Sequence, residues 1–261
     1  MSKVITMCVI ILTVCALVLG NHHWKQKISS AQEKQEDSNT EETAAVKEEQ
    51  PEWMAKAANL PAPIKEKMKL AKKNGKPLKI VAVGSESTSV QSTGWPALLQ
   101  TNLQEAYGEK MFTLQVLSYP DGTTRTFINE NHGEEVNKLQ PDILLFEPFS
   151  LNDNGNVGLT NTLQNFEEII ADFKEKNPKT VIYIQPSHPI FNATFYPKEV
   201  DALKELVKEK DLTYLNHWDN WPDQKDEKIK NLLIEDQAAP NDEGNKIWAD
   251  YLTNYFVRTA E

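Results

Sequence analysis

The chain has 261 residues and a formal net charge of −10. That length accommodates one sizeable domain with appendages, and the acidic balance argues against nucleic acid, whose phosphates call for a basic face. Its two cysteines, Cys8 and Cys15, both lie in an N-terminal apolar run, so the remainder can build neither a disulfide framework nor a cysteine metal site.

The apolar run extends from Val4 to Gly20 behind a single lysine, Lys3. As a helix it would span about 25 Å, slightly short of the roughly 30 Å hydrocarbon core. An uncleaved signal anchor over 1–20, with His22, His23 and Trp24 at the interface, is the favoured reading. A signal peptide cut after Gly20 is the alternative. Residues 21–63 are rich in Glu, Gln, Ser, Thr and Lys, a composition that buries too little apolar surface to offset its ordering entropy, so an acidic disordered stalk is expected. A basic lead-in follows over 64–77, and from Ile64 to Lys79 seven lysines face Glu66 alone. It reads as a solvated helix entering the domain, with contact to anionic lipid or wall polymer as the sharper alternative.

From Leu78 to residue 258 the pattern alternates. Short β-branched runs predict strands over 78–84, 112–118, 142–147, 180–185 and 212–216. Helical periods lie between them over 95–107, about 126–139, 162–176 and 198–210, followed by about 226–235 and 242–257. Asn177-Pro178 stops one helix and Pro197 opens the next. Strands alternating with helices imply right-handed crossovers and a parallel sheet covered on both faces. The expected fold is thus a three-layer α/β/α sandwich with a five-stranded parallel sheet, its first strand central. In such sheets ligands sit beyond the carboxyl ends of the strands. The distinctive segments all fall there: Gly84 to Thr88, Tyr119 to Thr124, Glu147 to Asp153, Ser187-His188 and His217 to Trp221.

Three of the chain's segments, Val83-Gly84-Ser85-Glu86-Ser87-Thr88, Leu151-Asn152-Asp153 and Pro240-Asn241-Asp242-Glu243-Gly244, stand in an order and at distances that resemble the blocks of the SGNH/GDSL hydrolases. That resemblance implies an exported serine esterase or acyl-transfer scaffold, SGNH- or flavodoxin-like, needing no cofactor. It implies a body outside the cell, tethered to the membrane as a single pass or secreted if cut after Gly20. The charges near the apolar run do not decide this orientation, because Lys25 and Lys27 beyond it outnumber Lys3.

Such an esterase needs a hydroxyl nucleophile, a histidine base oriented by an acid, and donors for the developing oxyanion. The family pattern places Glu86 at the nucleophile position and Ala239 at the base position. Ser85 and Ser87 flank Glu86 as candidate hydroxyls, and Asp236 matches the acidic member. Asn152 matches the oxyanion asparagine; a plain Asn-Asp-Asn-Gly turn is its bland alternative. Gly122 is the candidate second donor, equally readable as part of a Pro-Asp-Gly turn. His217 is the better substitute base, and Asp153, His188 and Trp218 are candidate substrate contacts, with ordinary packing the competing reading for the histidines. A metal set drawn from Glu147, His188, His217 and Asp219 has no ligand spacing behind it, and no metal is expected. A nucleotide or flavin site lacks Gly-x-Gly-x-x-Gly. The expected partner is an ester-bearing small molecule or a cell-wall glycan, either hydrolysed with an incomplete catalytic set or bound without turnover.

Overall fold

The computed structural model describes residues 51–258; the apolar run and most of the expected stalk lie outside them. Among the described residues no helix is long and apolar enough to cross a membrane. Five parallel strands form one sheet in the order β2-β1-β3-β4-β5. They are β1 (Leu78–Gly84), β2 (Phe112–Ser118), β3 (Ile143–Phe146), β4 (Val181–Ile184) and β5 (Thr213–Tyr214). β1 pairs with β2 from Leu78↔Phe112 to Gly84↔Ser118, and with β3 from Ile80↔Ile143 to Val83↔Phe146.

The two faces of the sheet follow from residue alternation. Ile80 and Ala82 of β1, with Ile143 and Leu145 of β3, point into one apolar layer, while Val81, Val83, Leu144 and Phe146 point into the other. The first layer is completed by α1 (Glu52–Lys56), α2 (Ala62–Asn74), α3 (Trp95–Tyr107) and the last helix, α9 (Asp242–Phe256). The second is covered by α4 (Thr124–Asn129), α5 (His132–Leu139), α7 (Leu159–Lys176) and α8 (Tyr196–Glu209). A four-residue α6 (Ser150–Asp153) lies between β3 and α7. The paired aromatics Trp95 and Trp248, stacked with centroids 5.1 Å apart, join α3 to α9.

Several expectations are adjusted. Residues 51–76 belong to the fold, because Ala57, Leu60, Ile64, Met68 and Ala71 are buried in the first layer. Four of the seven lysines between Ile64 and Lys79 are tied down: Lys67 pairs with Asp142, Lys69 with Glu66, and Lys65 and Lys79 reach the carbonyls of Ala58 and Leu139. β1 is internal but one place off the middle, which β3 occupies. The helix expected over 126–139 breaks into α4 and α5 at Asn131, whose φ of 58° lies in the left-handed region. The segment expected as a helix over 226–235 is a 3-10 turn, Glu227–Leu232, and β5 is shorter than its sequence run.

Candidate functional site

The first loop is shaped by a buried carboxyl. β1 ends at Gly84, where an added Cβ would collide with the carboxylate of Glu147 and the hydroxyl of Thr88, so only glycine fits. Glu147, at the end of β3, accepts hydrogen bonds through Oε2 from the Ser85 N–H at 2.7 Å, the Ser85 hydroxyl at 2.8 Å and the Thr88 hydroxyl at 3.3 Å. Its second oxygen has no partner among the described residues, nor do the hydroxyls of Ser150 and Tyr196. Burial is the dominant influence on this carboxyl and outweighs the three donors, pushing its pKa from 4.5 up to about 7.

This shift makes a testable statement about stability. The unfolded chain releases the Glu147 proton near 4.5 and the folded chain near 7. Between these values the folded state holds more proton, so stability falls as pH rises through the window, by about 3 kcal/mol in all. In Glu147→Gln this fall is expected to disappear. Urea titrations at several pH values read it directly, and a variant with the wild-type slope would assign the effect to another group.

Glu86 is half-buried at the mouth of the turn. Its Oε2 accepts the backbone N–H of Asp121 at 3.1 Å and Asn152 Nδ2 at 3.0 Å. The two donors come from the ends of β2 and β3, on either side of β1, and converge on one oxygen. Asn152 is carried there by α6, whose N-cap, Phe149, takes φ 59°. Gly122 does not supply the second donor: its N–H closes a turn onto the Tyr119 carbonyl at 2.9 Å. Its role is spatial, since a Cβ there would lie 3.0 Å from Tyr119 Cβ and 3.2 Å from Phe149 Cε1. The N–H that points to Glu86 from this loop is that of Asp121.

The serines on either side of Glu86 turn inward. Ser85 is spent on Glu147, and Ser87 Oγ lies 2.9 Å from His188 Nδ1. His188 Nε2 is 2.9 Å from the Gln237 carbonyl, which can only accept, so Nε2 carries the proton and Nδ1 accepts from Ser87. Ser187 Oγ donates to Ser87 Oγ at 3.1 Å. Ser87 and His188 are both buried, and desolvation holds the imidazole neutral with its pKa lowered to about 4.

The remaining candidates are engaged elsewhere. His217 is buried and stacked on Trp248 at 3.8 Å, with Nε2 donating to the Pro186 carbonyl and Nδ1 accepting from Trp221 Nε1. Both ring nitrogens are occupied, and desolvation lowers its pKa to about 3. The structure therefore places His217 in packing rather than beside Glu86. Asp153 is fully buried and accepts from the Thr124 N–H at 2.9 Å and hydroxyl at 2.6 Å, tying α6 to the start of α4. Asp236 is exposed, with its carboxylate turned onto the Ala238 N–H. Trp218 Nε1 donates to the Ser187 carbonyl at 2.7 Å. Pro240-Asn241-Asp242 forms a helix start: Asn241 accepts from the N–H groups of Glu243 and Gly244. Among the described residues no group of three or more His, Cys, Asp or Glu side chains is placed to hold a metal.

Two donors, one from the loop after β2 and one from the loop after β3, thus converge on a single point beside the end of β1. The model of the GDSL-like lipase/acylhydrolase family matches residues 80–247. The chain belongs to this family. Solved structures agree on the fold. A catalytic mutant of Axe2, an acetylxylan esterase from Geobacillus stearothermophilus, aligns over 72% of this chain and 100% of its own at 17% identity, with a TM-score of 0.57. The acetyl xylan esterase AlAXEase aligns over 68% and 98% at 13% identity and a TM-score of 0.56. The psychrotrophic esterase EstA from Pseudoalteromonas sp. aligns over 68% and 95% at 15% identity and a TM-score of 0.53. None of the curated proteins matches the chain in sequence.

The features that sequence reasoning missed are Glu147 as the clamp of the first loop and the Asp121 N–H as a donor. Glu147 carried a signal as the one acidic residue directly ending a buried strand. The Asp121 N–H carried none, because every non-proline residue offers the same backbone donor.

Proposed function

We propose that this GDSL-family protein recognises acyl esters, those of acylated glycans in particular, and that its own Glu86 closes the family's serine route of hydrolysis. One observation carries this reading: the Glu86 carboxylate accepts both the Asp121 N–H and Asn152 Nδ2. A carboxylate in that seat stands where the oxyanion of a tetrahedral intermediate, or the carboxylate of a released acid, would be held. Ala239 offers no proton acceptor, and the two flanking hydroxyls are committed inward. The acetylxylan and acetyl xylan esterases among the structural neighbours support an acylated glycan as the ligand class. A tether through the apolar run at its N-terminus would place the domain beside extracellular polymers, and proteolysis of intact cells reads that placement.

A displaced esterase is the second reading, favoured by the 2.9 Å contact of Ser87 Oγ with His188 Nδ1. The full chain is expected to hydrolyse p-nitrophenyl acetate little above the buffer rate. A robust rate lost in both Ser87→Ala and His188→Ala would replace the first reading with the second.

A further inference from the structure

A second concavity, of about 370 Å³, opens between the loops that follow β4 and β5. Its size falls in the range of small-ligand sites. Two tryptophans of its lining, Trp218 and Trp221, send their only polar atoms inward: Trp218 Nε1 donates to the Ser187 carbonyl and Trp221 Nε1 to His217 Nδ1. Trp218 is further fixed edge-on against Tyr196, with centroids 5.5 Å apart. The half-buried Trp218 therefore offers the cavity carbon surface held in one orientation, with the buried Trp221 packed behind it. Pro189, Pro197 and Pro222 extend that rigid apolar lining.

The rim has a different character. Asn192, Thr194 and Gln224 are part of the lining, and the two segments are joined by the Asn192 N–H donating to the Gln224 carbonyl at 2.8 Å. Lys198, Lys225 and Asp223 leave the lining without a strong charge of either sign. A ligand matching rigid carbon faces below and neutral amides and hydroxyls above carries flat C–H faces edged with hydroxyls. A strongly cationic ligand would meet no matching field, since Lys198 and Lys225 outnumber Asp223 by one charge.

We propose that this cavity is a saccharide-binding site that holds one or a few pyranose units against Trp218. Pro189 adjoins His188 and Trp218 adjoins His217, so the cavity lies on the same sheet edge as Glu86. β4 and β5 stand two and three strands from β1, which at about 4.8 Å per strand puts the cavity roughly 10–15 Å away. A glycan seated there would extend along the edge toward the Glu86 cleft. The choice of a glycan rests on the reading given above, whereas the cavity itself shares no side chain with the donors around Glu86.

The test is titration of the full chain with xylo-oligosaccharides and with oligomers of N-acetylglucosamine, read by tryptophan fluorescence and calorimetry. Saturable binding of at least one series is expected, weakened tenfold or more in Trp218→Ala. Asn192→Gly is expected to weaken it severalfold; Asn192 has φ 53°, which glycine keeps, so a folding defect is not the cause. Lys69→Ala, on the exposed face of α2 and outside both the cavity and the cleft, should leave the affinity unchanged. Binding lost in Glu86→Ala but kept in Trp218→Ala would move the saccharide to the cleft and overturn the proposal. So would the absence of saturation by either series while circular dichroism shows a native fold. Displacement by a proline-rich peptide rather than by sugars would likewise overturn it.

Discussion

Glu86→Ser combined with Ala239→His is expected to raise p-nitrophenyl acetate hydrolysis by roughly two orders of magnitude over wild type. Shortening Glu86 frees the Asp121 N–H and Asn152 Nδ2, which then stand ready for the oxyanion of the reacting ester. The new serine supplies the nucleophile and the new imidazole its base. Asp236, three residues before 239, would exchange its bond to the Ala238 N–H for the imidazole N–H. Each single change alone should stay near the wild-type rate, because nucleophile and base act as a unit. A folded double variant without activity would show that residues 86 and 239 cannot be brought together as a catalytic pair.

Trp248→Ala is expected to cost about 3–5 kcal/mol of stability. The ring is fully buried, stacks on Trp95 at 5.1 Å and on His217 at 3.8 Å, and donates from Nε1 to Gln185 Oε1 at 3.0 Å. Its removal leaves a large cavity between α3 and α9 and strips a buried amide of its donor. For a domain of this size the melting temperature should fall by roughly 10 °C. Trp248→Phe, which keeps much of the stack, should lose distinctly less. Denaturant titration compares the two, and a loss below about 1 kcal/mol in the alanine variant would refute this account of the core.

The sheet was legible because parallel strands buried on both faces must be apolar throughout, as Leu-Lys-Ile-Val-Ala-Val-Gly at β1 shows. The upstream limit of the domain was not, since α1 and α2 are short, lysine-rich helices whose apolar stripe is sparse. Ile64, Met68 and Ala71 do recur at helical spacing, and that stripe is the face that packs. At the site, Glu86 and Asn152 could be picked out by motif spacing. His217 and Asp153 drew notice as polar residues near a sheet edge, yet their partners are a proline carbonyl, an indole and a threonine. The pairing of Ser87 with His188 links positions 101 apart, which no local pattern records.

The clasp between the two ends of the described fold bears on how the chain is made. The Arg258 N–H donates to the Lys56 carbonyl at 2.7 Å, and the Tyr107 hydroxyl donates to the Phe256 carbonyl at 2.6 Å. The first helices of the described fold thus share a layer with its last, and until residue 256 emerges their apolar stripes have no lid. A nascent chain stalled even a dozen residues short would present that greasy seam to chaperones and proteases. Emergence of α9, rather than synthesis of the sheet, is therefore the moment at which this fold can become resistant to degradation.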